Sequence, residues 1–134
     1  MADMSFTPAQ HDAIHARGGS LIVSAAAGSG KTRVLVQRVI EMLLDGEHPV
    51  SADKLLIVTF TKAAAEEMRK RIMAEVEAHL QKDPDNLLLR RQLVLLSNAD
   101  ICTIHSFCSR LIKENFFSPK ALNQSDSIKV TSRE

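Results

Sequence analysis

The chain has little of several features that mark particular classes of protein. Its 134 residues include only two cysteines, Cys102 and Cys108, which are too few for a disulfide framework or a structural zinc cluster. We therefore expect reduced thiols in a cytoplasmic protein. The 17 Lys and Arg residues balance 16 Asp and Glu residues, so the net charge of +1 does not indicate a strongly basic nucleic-acid-binding protein. The sequence has neither a secretory signal at its N-terminus nor a long apolar run, so we expect no association with a membrane.

The composition is that of a globular protein. The sequence is 45% hydrophobic and 25% charged, and its length suits one domain with a sizeable core. Short apolar runs rich in Val, Ile and Leu are typical of strands buried in a parallel sheet. Four such runs predict strands at residues 20–24, 55–60, 101–104 and, more weakly, 128–131.

Helical patterns separate these runs. They cover residues 7–16, 31–44 and 63–81, a segment starting at Asp85 or Asn86, and residues 106–116. Strands alternating with helices predict an α/β fold with a parallel sheet and right-handed crossovers.

The periodicity of two of these helices predicts which side chains they bury. In residues 63–81 the apolar face is formed by Ala65, Met68, Ile72, Val76 and Leu80. The opposite, solvated face carries Glu66, Glu67, Arg69, Lys70 and Glu77. The helix at 106–116 is expected to direct Phe107, Leu111 and Ile112 towards the core.

A glycine-rich loop between the first predicted strand and the second helix has the form of a Walker A phosphate-binding loop. Its residues are Ala25, Ala26, Ala27, Gly28, Ser29, Gly30, Lys31 and Thr32, with Ala25 where the strict pattern has glycine. The glycines allow the backbone to approach phosphates, Lys31 can reach the β- and γ-phosphates, and the Thr32 hydroxyl can ligate Mg²⁺. An ordinary strand–helix turn would leave Lys31 opposed to the helix dipole. We therefore predict that this loop binds ATP with Mg²⁺.

Three further segments carry a resemblance to a known family. Residues 6–10 (FTPAQ) look like a Q motif, residues 58–69 (VTFTKAAAEEMR) like motif Ia, and residues 103–108 (TIHSFC) like motif Ib. Together with the phosphate loop, they resemble UvrD-like superfamily 1 DNA helicases, and within these the AddA-type (RecB-like) helicase–nucleases. The resemblance implies a RecA-like P-loop NTPase domain, as an incomplete first motor domain over residues 1–117. Residues 118–134 would then be a loop and weak strand leading to the missing remainder.

The resemblance also implies roles for individual residues. Gln10 would bind the adenine edge, although Thr7, Pro8 and Gln10 also form a helix capping box, and both roles remain open. Arg33 matches a position where several relatives carry an arginine near the base. The residues implied to contact DNA are Thr59, Phe60, Thr61, Lys62, Thr103 and His105. Phe60 can be a stacking platform for a base or a core residue at the end of a strand.

The resulting hypothesis is the N-terminal fragment of an ATP-dependent DNA helicase and nuclease. By resemblance it would bind single- and double-stranded DNA in double-strand-break repair, with an AddB-like second subunit. No apolar strand in the sequence ends in an Asp-Glu pair, so we expect this chain alone to lack ATP turnover. One alternative is a small P-loop kinase, which would need an acidic base and an Arg-rich lid. The other is a non-catalytic module that binds nucleotide or DNA.

Overall fold

A computed structural model describes residues 6–116 and shows helices around a small parallel sheet. A short 3-10 helix at Ala52–Lys54 precedes the first strand. In chain order the other elements are α1 (Pro8–His15), α2 (Lys31–Leu43), β1 (Leu56–Thr59), α3 (Lys62–Lys82), α4 (Leu87–Leu96), β2 (Asp100–Thr103) and α5 (Ile104–Phe116).

The sheet brings together two strands that are far apart in sequence. Strands β1 and β2 run parallel, with Leu56 opposite Asp100 and Thr59 opposite Thr103. Helices α3 and α4 form the connection between them, as a parallel pair requires. Ile57 and Ile101 are buried on one face of the sheet. Because the strands are in register, both end at the same edge, and the segments that follow them start side by side.

The core lies between α2, α3, α4 and the sheet, and it confirms the apolar face predicted for α3. Ala65, Met68, Ile72 and Val76 are buried in this core, and Leu80 packs against it. Helices α1, α3 and α4 begin where short polar side chains cap them. Of the two caps considered for α4, Asn86 is the one observed, since its side chain accepts a hydrogen bond from the Leu89 N–H at 3.1 Å.

Arg69 does not lie on a solvated face, and that prediction is wrong. It is half-buried, and its guanidinium donates to the carbonyl oxygens of Leu96 at 2.7 Å and Ala99 at 3.0 Å. These carbonyls belong to the turn between α4 and β2, where backbone acceptors would otherwise lack partners. Helical periodicity places a charged residue on the exposed face, but it does not show which distant backbone that residue reaches.

Residues 20–24 form no strand, contrary to the sequence-based prediction. The segment has no secondary structure, and Ile22 is 93% exposed. An apolar run becomes a strand only when a neighbouring strand supplies its hydrogen-bond partners, and β1 and β2 pair with each other instead. The α/β class and parallel pairing are confirmed, but a complete RecA-like sheet is not present in residues 6–116.

The last helix also departs from its prediction. Helix α5 begins at Ile104 rather than at residue 106, and Phe107 is only half-buried. Leu111 and Ile112 are exposed rather than directed into a core, with Ile112 at 62%. The strand predicted at 128–131 and the segment 118–134 lie outside the described residues.

Two further findings concern the surface of the described region. No helix within residues 6–116 is long and apolar enough to cross a membrane.

In the loop after α2, the Asp45 carboxylate accepts hydrogen bonds from the backbone N–H groups of His48 and Glu47, both at 2.9 Å. These bonds favour the ionised form and lower the pKa of Asp45 below its usual value.

Candidate nucleotide and nucleic-acid site

The glycine-rich loop enters helix α2 through two residues in left-handed backbone conformation. Gly28 has φ 78° and Gly30 has φ 82°, a region that other residues rarely adopt. Gly30 is also the N-cap of α2, and it provides no side-chain hydrogen bond to the first turn. The N-terminal N–H groups of a helix attract anions when no side chain caps them. The loop therefore has the backbone geometry of an anion-binding turn.

The Lys31 ammonium lies within this loop. It donates to the carbonyl oxygens of Ala25 at 2.5 Å and Ala26 at 2.7 Å. The Ser29 hydroxyl donates to the same Ala26 carbonyl at 2.6 Å. These acceptors offset the unfavourable position of a cation at a helix N-terminus. Charged acceptors such as phosphate oxygens form stronger hydrogen bonds than neutral carbonyls, so an anion can compete for this ammonium.

Gln10 forms the capping box that its spacing predicts. Its Oε1 accepts from the Thr7 N–H at 2.9 Å, and the Thr7 hydroxyl accepts from the Gln10 N–H at 3.3 Å. The Nε2 amide donates to the Ser29 carbonyl at 3.2 Å. Both ends of the carboxamide are thus engaged, one with its own helix and the other with the phosphate loop. The adenine contact stays a prediction.

A pocket of about 180 Å³ lies between α1 and the loop, lined in part by Gln10, Ser29 and Lys31. Arg33 does not line this pocket. Its guanidinium carbon is 4.3 Å from the centre of the Phe6 ring, and both residues line another cleft. The structure therefore brings Gln10 and Lys31 together in one pocket, and the contact of Arg33 with the base stays a prediction.

The segment after β1 is ordered by its two threonines. The Thr59 hydroxyl donates to the Thr61 carbonyl at 2.9 Å, and the Thr61 hydroxyl accepts from the Ala64 N–H at 3.1 Å as the N-cap of α3. Between them Phe60 is 99% exposed. The interpretation of Phe60 as a core residue is therefore wrong. An exposed aromatic ring between two fixed neighbours is a suitable platform for stacking.

The segment after β2 is built in the same way, with a threonine at the start of the helix that follows. The Thr103 hydroxyl accepts from the Ser106 N–H at 3.2 Å and lies 2.9 Å from the Ser106 hydroxyl. Thr103, rather than Ser106, therefore caps α5. Thr103 is buried, whereas His105 is exposed in the first turn of the helix.

The register of the sheet places these two segments next to each other. Thr59 pairs with Thr103, so the residues that follow each strand share one edge of the sheet. A cleft of about 520 Å³ is lined by Lys62, Thr103 and His105. The sequence-predicted contacts after β1 and β2 are thus neighbours in space.

A second cleft connects this edge with the phosphate loop. It has a volume of about 480 Å³, and its lining includes Thr32 together with Thr59, Phe60 and Thr61. The residue expected to ligate a metal beside the nucleotide therefore faces the same space as the residues expected to contact DNA.

The metal-binding capacity of this region rests on one hydroxyl. No group of three or more His, Cys, Asp or Glu side chains within residues 6–116 could hold a metal ion. Glu67 lines the cleft that contains Thr32, but its carboxylate is paired with Arg71 at 2.5 Å. Magnesium is usually held by one or two carboxylates together with substrate phosphates and water. Thr32 fits such a site as one oxygen ligand among several.

The sequence analysis did not identify part of the lining of the cleft that contains Lys62, Thr103 and His105. Ser109, Arg110 and Lys113 line it together with His105. Their spacing from Ser106 is that of one helix face, which the sequence does show. The apolar residues of the same helix form a more obvious pattern, and they led to the prediction of a buried face instead.

Comparison with known proteins identifies the family. The sequence model of the family described as the UvrD/REP helicase N-terminal domain matches residues 6–133. This match confirms the resemblance drawn from the motifs. The chain is 56% identical over 111 residues to an ATP-dependent helicase/nuclease of Clostridium perfringens strain 13, covering 83% of this chain and 9% of that protein. It is 55% identical over 112 residues to the protein of the same name from Moorella thermoacetica, covering 84% and 8%. It thus spans less than a tenth of the length of these relatives. The chain belongs to the UvrD/REP helicase N-terminal domain family.

Proposed function

We propose that this chain is the N-terminal part of an ATP-dependent DNA helicase and nuclease. It binds ATP with Mg²⁺ at residues 25–32 and single-stranded DNA at the carboxyl edge of the sheet. One observation carries the proposal: Lys31 lies within a loop whose two left-handed glycines lead into an uncapped helix N-terminus. The 52–56% identity to ATP-dependent helicase/nuclease proteins supports the same activity.

In this proposal Lys31 exchanges partners when nucleotide binds. Its ammonium leaves the Ala25 and Ala26 carbonyls and pairs with the β- and γ-phosphates, which carry full negative charge. The Thr32 hydroxyl would hold Mg²⁺ together with the phosphates, and the ion would supply positive charge beside them. Gln10 holds the loop through Ser29, and its contact with adenine requires its amide to give up one of its present hydrogen bonds.

Single-stranded DNA binds at the sheet edge where β-strands β1 and β2 end. Phe60 offers its exposed ring to a base, and Lys62 and His105 contact the backbone beside it. Because Thr32 and Phe60 line one cleft, a change at the phosphates alters the surroundings of the DNA-binding segment. We infer that this cleft links nucleotide binding to movement along DNA.

Family membership also supports a proposal for the biological setting. We propose a role in double-strand-break repair in the cytoplasm, where the full-length protein also binds double-stranded DNA and works with an AddB-like second subunit.

The nucleotide site is tested by titrating the chain and its Lys31→Ala variant with ATP and Mg²⁺ in a calorimeter. We expect binding by the unmodified chain and none by the variant, because the phosphates lose their cation. The melting temperature should not change, since the Lys31 side chain is exposed. Lys54→Ala removes a comparable charge from the opposite end of β1 and should bind ATP normally. Equal affinity in all three proteins would exclude the assignment.

A further inference from the structure

One face of helix α5 continues the cleft at the sheet edge. Ser109, Arg110 and Lys113 lie three, four and seven residues after Ser106, so all four share one helix face, and all line this cleft. They share it with His105 from the first turn of the same helix. Seven residues of helix rise about 10 Å, so this face extends the cleft well beyond the strand ends.

The charges along this face are unequally compensated. Arg110 forms an ion pair with Asp100 at 2.6 Å and lies 3.9 Å from Glu114. Lys62 and Lys113 form no ion pair with any described residue. The residues that line the cleft include Lys62, Arg110 and Lys113 and no carboxylate, so the lining has an excess of positive charge. The Ser109 hydroxyl, one turn before Lys113 on α5, adds a neutral hydrogen-bond donor.

Resting on the proposed function, we propose that this face of α5 extends the path of single-stranded DNA, with Lys113 and Ser109 binding a backbone phosphate. That phosphate is distinct from those at the start of the helix, because Lys113 lies about two turns from Ser106. The ring of His105 lies in the first turn, whereas the part of the lining that Ser109 and Lys113 form is cationic and hydroxylic, so that part recognises phosphate and not base. Binding here is independent of DNA sequence.

The test measures how salt weakens the affinity for an oligothymidylate. Each phosphate contact on a single strand contributes about 0.7 to the slope of log affinity against log salt. Lys113→Gln should therefore lower the slope by about 0.7. The same relation predicts affinity about eightfold weaker than the unmodified chain at about 50 mM salt, and about threefold weaker at about 200 mM.

Lys54→Gln is the matched control, because it removes the same charge from an exposed site at the other end of β1. Its slope should equal that of the unmodified chain. Equal slopes for Lys113→Gln and the unmodified chain, or an equal loss in both variants, would overturn the proposal for α5. Failure of the unmodified chain to bind the oligonucleotide would instead contradict the proposed function. Circular dichroism checks that α5 is still helical in the variant.

Discussion

At the scale of single residues, exposure separates the functional interpretation of an aromatic side chain from the structural one. A phenylalanine at the end of an apolar strand is most often buried, and the run that contains Phe60 shows nothing to the contrary. The hydroxyls of Thr59 and Thr61 bond locally and turn the chain out of the strand at that point. The ring consequently contributes almost nothing to the core.

This exposure leads to a prediction for Phe60→Ala. The free energy of unfolding should not change measurably, since no buried contact is lost. The affinity for single-stranded DNA should fall by about 1–3 kcal/mol, the contribution of one stacked base. Fluorescence anisotropy with an oligonucleotide and chemical denaturation measure the two quantities.

Leu87→Ala is the control. Leu87 is also an exposed apolar side chain, but it lies on α4, away from the sheet edge. It should leave DNA affinity unchanged. A loss of stability in Phe60→Ala without a loss of binding would restore the core interpretation.

At the scale of elements, one buried polar side chain joins three segments that sequence periodicity treats separately. Gln92 of α4 is 2% exposed. Its Oε1 accepts from the Ala52 N–H at 3.0 Å, and its Nε2 donates to the carbonyls of Leu43 at 2.9 Å and Val50 at 2.8 Å. Gln92 thus provides hydrogen-bond partners for backbone groups at the end of α2 and in the connection to β1, which would otherwise be buried without partners.

Gln92→Leu should therefore destabilise the fold although it adds an apolar side chain to the core. A buried donor or acceptor left without a partner costs about 1–3 kcal/mol, and this substitution orphans several. We expect a loss of at least about 2 kcal/mol in urea denaturation. Gln81→Leu, at an exposed position of α3, should stay within about 0.5 kcal/mol of the unmodified chain. Similar stability in the two variants would show that the Gln92 bonds contribute little.

At the scale of the whole molecule, binding and turnover have different requirements. The described residues place the proposed phosphate loop and the proposed DNA-binding edge beside one shared cleft. Hydrolysis also needs a carboxylate to position metal and water, and the sequence has no strand ending in an Asp-Glu pair. In related phosphoryl-transfer enzymes, an arginine from a second domain increases the rate of hydrolysis about 10³- to 10⁵-fold.

We therefore predict that this chain alone binds ATP without hydrolysing it. Phosphate release should equal that of the Lys31→Ala variant, with or without single-stranded DNA. Release that DNA stimulates and that Lys31→Ala abolishes would contradict the prediction, and would show that these residues carry a complete catalytic site.

The sequence by itself determined the local structure. Capping residues such as Thr7 and Asn86 fixed where helices begin, and the periodicity of α3 identified its buried face. The positions of Gly28 and Gly30 indicated a turn that enters α2, and both have the left-handed backbone conformation that few other residues adopt. These features depend on neighbours within a few residues, which a sequence displays directly.

Only the tertiary structure decided the features that depend on distant partners. Residues 20–24 look like a strand, yet they form none, since strand formation requires another strand beside them. Arg69 looks solvated, yet it binds carbonyls about 30 residues away. The exposure of Phe60 and the cationic face ending at Lys113 likewise follow from how β1, β2 and α5 pack. Chain topology determines which distant backbone or side chain a residue contacts. The local sequence pattern does not predict these contacts.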